Sequence, residues 1–324
     1  MRVFVTGASG FIGSAVVQEL LGAGHEVVGL ARSDVSAEAL LAAGAEIHRG
    51  SLEDLDSLWA GAAASDGVIH LGYIHDFSKV EDNVRVDRGA IETFGAVLAG
   101  SNRPLLIANG TLFLAPAGHL ATETDSGAPA DGVVGGRRRN EQLLLSLADR
   151  GVRSASVRLT PTVHGEGDPG FVPIIIGVAR EKGVSGFLGD GSSRWPAVHR
   201  VDAARLFRLA LEKAPAGAVL HGVAEEGIPT REIADVIGQH LGVPVESISP
   251  GGAVEHFGFL GAIFGLDSPA SSVLTRERYA WQPQQPGLID DLNQGHYFEN
   301  GLTRHHSADQ AASAGMLAGG ESVG

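Results

Sequence analysis

No cysteine occurs among the 324 residues, which excludes disulfides, thiolate catalysis and cysteine-ligated metals together. Basic residues are also scarce: 24 Lys and Arg against 38 Asp and Glu give a formal net charge of −14. A field of that sign opposes nucleic acid and anionic membrane surfaces as partners. Long apolar runs are missing. The longest uncharged one, "FGFLGAIFGL" at residues 257–266, is about half of the ~20 residues a membrane-spanning helix takes. Strand-like sequence starts at Arg2 and leaves no charged n-region or apolar h-region, so no secretory signal is expected and the expected location is cytoplasmic. Aromatic residues make up 6%, with only three tyrosines, so few phenols are open to any acid–base role.

What is present is a globular composition, 44% hydrophobic and 19% charged. The first half alternates short apolar runs with helical patterns. "RVFVTG", "EVVGLA", "AEIHRG", "GVIHLG", "PLLIANG" and "RSASVRLT" read as buried strands. Between them lie helical stretches near residues 11–24, 35–43, 52–63, 80–99 and 134–150. That alternation predicts an α/β fold, a Rossmann-type doubly wound parallel sheet covered on both faces. After about Pro161 the elements shorten and Gly/Pro-rich loops separate them. The expected organisation is a dinucleotide-binding domain at 1–160, a smaller substrate lobe at 161–302 interleaved with it, and a mobile tail at 303–324. Truncation at Leu302 is expected to leave folding unaffected.

In "VFVTGASGFIG", Gly7, Gly10 and Gly13 follow a strand and open a helix. Gly7 permits the tight turn, Gly10 admits a pyrophosphate close to the backbone, and Gly13 allows close helix–strand packing. The free amides and positive end of that helix hold the phosphates. The second strand runs into Arg32 and Ser33, where an NAD-selecting site carries an acid for the ribose 2′-hydroxyl. A guanidinium with a neighbouring hydroxyl suits a 2′-phosphate, so NADP(H) is favoured over NAD(H). The competing reading makes Arg32 a solvated loop residue.

These residues carry a resemblance. "TGASGFIG" fits the Thr-Gly-x-x-Gly-x-x-Gly spacing of the extended and atypical short-chain dehydrogenases/reductases, the NAD-dependent epimerase/dehydratase superfamily. "GSLED" (50–54), "VIHLGY" (68–73), "VRLTPTVHGEGD" (157–168) and "WPAVHRVDAARL" (195–206) are similar in order and spacing, so the likeness runs from about Met1 to Tyr297. It implies cofactor contacts at Gly7, Ser9, Gly10, Phe11, Ile12 and Gly13. It further implies that Ser51 and Leu52 flank the adenine, that His70, Leu71 and Gly72 line the cofactor, and that residues 159–163, ending at Val163, approach the nicotinamide. Ser51 stands where the family usually has aspartate.

The same resemblance exposes a loss. In this family a tyrosine hydroxyl protonates the substrate oxygen and a lysine four residues on lowers its pKa, because a phenol with a pKa of about 10 is otherwise too weak an acid. Here Tyr73, Tyr279 and Tyr297 are followed at that spacing by Phe77, Pro283 and Gly301. No Tyr-x-x-x-Lys exists. Aligning "RRRNEQ" on the catalytic helix puts Arg137 at the tyrosine position and Glu141 at the lysine position. A guanidinium stabilises charge but does not release its proton. Arg137 is therefore expected to act electrostatically, and Glu141 to pair with a neighbouring arginine or face solvent. The family's third hydroxyl falls to Thr111, although strict counting lands on Asn109. Tyr73 and His75 in "GYIHDFS" are the local proton donors; a polar surface loop is the plainer reading of that cluster, as a solvated helix start is for Arg137.

"HGEGD" alternates His164, Glu166 and Asp168, but it matches a family loop that carries no metal, and no metal is expected there or at His305 and His306. Trp195, His199 and the 257–266 run are expected to wall an apolar pocket or a subunit contact. Three functions remain open: an NADP(H)-dependent oxidoreductase of carbonyl reductase type with a non-standard site, a non-catalytic NADP(H) sensor or scaffold, and a non-redox epimerase holding its cofactor. The expected partner is a small carbonyl-containing substrate, with homodimerisation left open.

Overall fold

A computed structural model describes residues 1–76, 79–128 and 130–299. The tail expected from 303 lies outside the described residues. Strands β1 (Arg2–Thr6), β2 (Glu26–Ala31), β3 (Glu46–Arg49), β4 (Gly67–His70), β5 (Pro104–Gly110) and β6 (Arg153–Leu159) alternate with helices α1 (Phe11–Gly22), α2 (Asp34–Ala42), α3 (Leu55–Ala63), α4 (Val80–Leu98) and α5 (Gly132–Ser146). A 3-10 turn, Leu147–Arg150, prolongs α5, so the helical stretch expected near residues 134–150 is one helix with a tightened end.

The strands are parallel wherever they pair, in the order β3-β2-β1-β4-β5-β6 with a seventh strand beyond β6. Neighbours in β1 show how the sequence builds this layer. Val3 and Val5 point into one core with Val17, Leu20 and Phe207, whereas Phe4 points into the other with Phe94 and Leu144. Side chains of a strand alternate between faces, and here both faces are covered, which is why the run is apolar throughout. The expected doubly wound parallel fold is what the chain adopts.

The remaining strands are β7 (Thr162–His164), β8 (Ser185–Leu188), β9 (Arg194–His199), β10 (Ala218–Gly222), β11 (Glu225–Pro229) and β12 (Val245–Ile248). The helices among and after them are α6 (Phe171–Lys182), α7 (Arg200–Lys213), α8 (Thr230–Leu241), α9 (Ala253–Phe257), α10 (Val273–Tyr279) and α11 (Leu288–Asn293). The seventh strand is β10, which pairs with β6 after α7 has crossed the face beside α1. The large sheet thus draws on sequence beyond Pro161.

A third core lies around β9, α6, α8 and α9. Trp195 is fully buried there, against Phe264 at 5.2 Å and Phe171 at 5.7 Å between ring centres. Phe257, Leu260 and Phe264 are buried in the same cluster. These side chains fill a core instead of walling a pocket, because Trp195, Phe257, Leu260 and Phe264 pack in one cluster and none of the four is more than 2% exposed. Among the described residues no helix is long and apolar enough to cross a membrane.

Candidate functional site

Strands β1, β4, β5 and β6 end at one edge of the sheet, and the loops that follow them build the site, where open parallel sheets place their ligands. At β1 the chain turns through Gly7, whose φ of +66° lies in the left-handed region. A Cβ on Gly7 would stand 2.7 Å from Gly72 N, and one on Gly13 only 2.0 Å from Gly7 O. Gly10 caps α1 without a side-chain hydrogen bond, and the first turn of α1 holds no acid. Among the described residues no side chain caps the amino end of this helix, so the cradle fits a dinucleotide pyrophosphate.

The adenosine side follows. Arg32 is exposed and makes no ion pair among the described residues, while Ser33 caps α2 by accepting from Ser36 N at 3.2 Å. Ser51 is half-buried. Leu52 lies against Gly72, where an added Cβ would meet its Cδ2 at 3.1 Å. Leu71 and Val163 are half-buried and pack on the α1 side of the sheet.

A chain of buried polar groups ties this loop to α5. Gly72 N donates to Thr6 Oγ1 at 3.1 Å, and that hydroxyl lies 2.6 Å from His70 Nδ1. His70 Nε2 meets Asp87 Oδ1 at 3.2 Å, and Asn140 Nδ2 donates to Asp87 Oδ2 at 2.7 Å. Burial pushes the Asp87 carboxyl up, but His70, Arg137 and Asn140 outweigh burial and hold it below its usual range. Sequence reasoning missed Asp87. Its signal was a carboxylate on the apolar stripe of α4.

Arg137 stands at the junction. Its Nη2 donates to Ala108 O at 2.5 Å, and its guanidinium carbon lies 4.4 Å from the centre of the Tyr73 ring. The Tyr73 hydroxyl is buried without a hydrogen-bond partner among the described residues. Burial pushes this phenol up, and the Arg137 charge opposes the rise. His75 packs edge-on to Tyr73 at 5.2 Å, and desolvation together with Arg137 holds its imidazole low. Thr111, 1% exposed, likewise keeps an unpartnered hydroxyl, whereas the Asn109 amide is engaged with Gly110 N and Arg137 O. Tyr73 and Arg137 therefore meet at the strand ends, Thr111 lies buried at the end of β5 with no hydrogen bond to either among the described residues, and Asn109 is committed to backbone.

Glu141 has turned away from this cluster. It receives Arg158 Nε and Nη2, both at 2.9 Å, and the Ser156 hydroxyl. Arg158 also donates to Asp125 O at 2.6 Å, and Arg138 donates to Phe113 O and Ala128 O. Two arginines thereby fasten the long loop between β5 and α5. A charged residue inside the buried strand "RSASVRLT" was the available signal for Arg158, since such a group takes a partner. In "HGEGD" the three side chains separate. His164 meets Asp291 at 2.8 Å, Glu166 is exposed, and Asp168, which burial pushes up to about 6, accepts from Tyr297 at 2.9 Å. Among the described residues no group of three or more His, Asp and Glu side chains is placed to hold a metal ion.

Residues 3–92 match the model of the NAD dependent epimerase/dehydratase family. A protein of Schizosaccharomyces pombe, itself uncharacterized, is 51% identical over 298 residues, 92% of this chain and all of that one. The chain belongs to the NAD-dependent epimerase/dehydratase family. A 2-alkyl-3-oxoalkanoate reductase of Stenotrophomonas maltophilia is 28% identical over 264 residues, 75% of this chain and 77% of that protein. The fold is shared with the UDP-glucose 4-epimerase of Thermotoga maritima, at a TM-score of 0.73 and 19% identity over 92% of this chain and 98% of that one. Family and relatives place the protein among the NAD(P)-dependent oxidoreductases and epimerases of the short-chain dehydrogenase/reductase type.

Proposed function

We propose that this family member is an NADP(H)-dependent carbonyl reductase in which Tyr73 and Arg137 meet in space to replace the missing Tyr-x-x-x-Lys pair. The observation that carries the reading is the Arg137 guanidinium over the ring of Tyr73, whose buried hydroxyl has no hydrogen-bond partner among the described residues. Burial holds the phenol above its usual range, so transfer from Tyr73 depends on the Arg137 charge, which opposes that rise and stabilises the phenolate left behind. The nicotinamide, when bound, supplies the hydride to the carbonyl carbon. The former C=O electron pair then rests on oxygen, stabilised by the Arg137 charge while Tyr73 releases its proton to it. The substrate is a small carbonyl compound, a class consistent with the reductase among its relatives.

The test is a carbonyl screen that follows NADPH consumption. Tyr73→Phe and Arg137→Ala are each expected to lower turnover at least tenfold, about 1.4 kcal/mol of barrier, with cofactor affinity kept in the Tyr73 variant. Tight NADPH binding with no turnover of any carbonyl would instead identify a sensing module.

Preference for the phosphorylated cofactor rests on Arg32. It is exposed and unpaired beside the end of β2, and Ala31 closes that strand where a carboxylate would select NADH. One charge-assisted contact is worth roughly 1.5–3 kcal/mol. Calorimetry is expected to show Arg32→Ala weakening NADPH about tenfold or more while leaving NADH unchanged. Equal affinities in the unaltered protein would remove the argument.

A further inference from the structure

Helix α7 begins at the same end of the sheet as α1, and the two pack side by side. Its first residue is Arg200. The guanidinium carbon lies 5.1 Å from the centre of the Phe11 ring, the residue that opens α1. On the other side the loop at Gly165 presses against the same side chain, since a Cβ there would stand 3.3 Å from Arg200 Cγ. The half-buried arginine thus lies close to both Phe11 and this loop, and it makes no ion pair among the described residues.

That position is electrostatically wrong for a purely structural arginine. Helices favour acids at their amino ends and cations at their carboxyl ends. Arg200 adds a positive charge at the amino end of α7 and beside that of α1, whose first turn holds no acid. The carboxylates nearby are mostly spent. Asp202, in the first turn of α7, accepts from Gln284 N and Gln285 N, each at 2.9 Å. Asp291 is taken by His164 and His296, at 2.8 and 3.0 Å. Glu166 remains, exposed on the rim of a pocket of about 370 Å³ that Arg200 and His199 also line. The amino end of α7 is capped by His199, which accepts from Val201 N at 3.2 Å, but that of α1 has no side-chain cap; with a guanidinium that has no hydrogen-bond partner among the described residues, it makes a site for an anion of more than one charge.

We propose that Arg200 is a ligand of the dinucleotide's pyrophosphate, acting across Phe11 at the amino end of α1. The inference rests on the dinucleotide site and not on the reductase reading. Because the pyrophosphate is common to both cofactors, Arg200 sets affinity and leaves the choice between them to Arg32.

Calorimetric titration of the full chain tests it. Arg200→Gln is expected to weaken NADPH and NADH alike, each at least tenfold, while adenosine 2′-monophosphate, which has no pyrophosphate, keeps its affinity. Arg200→Lys should retain most of the binding. The thermal midpoint of the cofactor-free Gln variant should stay level or rise, because a cation has left a helix amino end. Affinities within twofold of the unaltered protein would overturn the proposal, and so would a loss confined to one cofactor. A midpoint lower by several degrees, or an equal loss for the 2′-monophosphate, would make Arg200 a structural residue. Lost turnover with intact binding in Tyr73→Phe is a separate result, so failure here is distinguishable from failure of the reductase reading.

Discussion

Replacing Glu141 with alanine is expected to cost about 3–5 kcal/mol of stability, because it strands a buried guanidinium. Arg158 is 3% exposed and would lose both bonds to the carboxylate, keeping only Asp125 O. Ser156 would lose its acceptor in the same step. The drop in thermal midpoint should be on the order of 10 °C, and urea unfolding should show it as a shift in midpoint. Restoring the family's lysine by Glu141→Lys should do at least as much harm, since a second cation would then face Arg158. Rebuilding the usual tyrosine–lysine pair on α5 therefore also demands a change at Arg158. A loss of only a degree or two for Glu141→Ala would mean that Arg158 finds another partner, and that the lysine position was free to drift.

The second large effect is expected at the glycine loop. Gly13→Ala would place a methyl group 2.0 Å from Gly7 O and 2.9 Å from Ala8 Cα, both backbone atoms that cannot swing aside. Helix α1 must then move away from the turn that it helps to form, and the amides aimed at the phosphates move with it. NADPH affinity should fall at least tenfold, about 1.4 kcal/mol, with a lower thermal midpoint. Gly10→Ala should be milder, its new methyl reaching Gly7 O at 3.2 Å. Gly22, at the far end of the same helix, has nothing within 4 Å of an added Cβ, so Gly22→Ala serves as a control with unchanged affinity. If Gly13→Ala binds NADPH as well as that control does, the loop is not the phosphate cradle.

Much of this architecture was legible along the chain. Continuously apolar runs such as "RVFVT" and "EVVGLA" identify strands covered on both faces, and the spacing of Gly7, Gly10 and Gly13 identifies the turn between strand and helix. These signals are local: each depends on a few neighbouring residues and on backbone freedom that only glycine has. The absence of Tyr-x-x-x-Lys is a fact of covalent order, and no folding restores it. By itself, then, the sequence determined a parallel sheet, a glycine-rich turn between strand and helix, and the absence of any Tyr-x-x-x-Lys.

Tertiary structure decided which side chains meet at the strand ends. Tyr73 and Arg137 belong to the loop after β4 and to α5, and no local pattern relates them; the packing of α5 beside β5, anchored by Arg137 on Ala108 O, brings them together. The same holds for Glu141, which joins Arg158 because β6 lies beneath α5 and a buried carboxylate must find a cation. Strand β10 escaped notice because an edge strand contributed after a long excursion carries only its own short apolar run, and its place beside β6 is fixed by the crossover of α7. Local periodicity is written residue by residue. Which charges meet, and which hydroxyls stay unpaired, is settled only when distant segments close on one another and exclude the water that would otherwise have satisfied them.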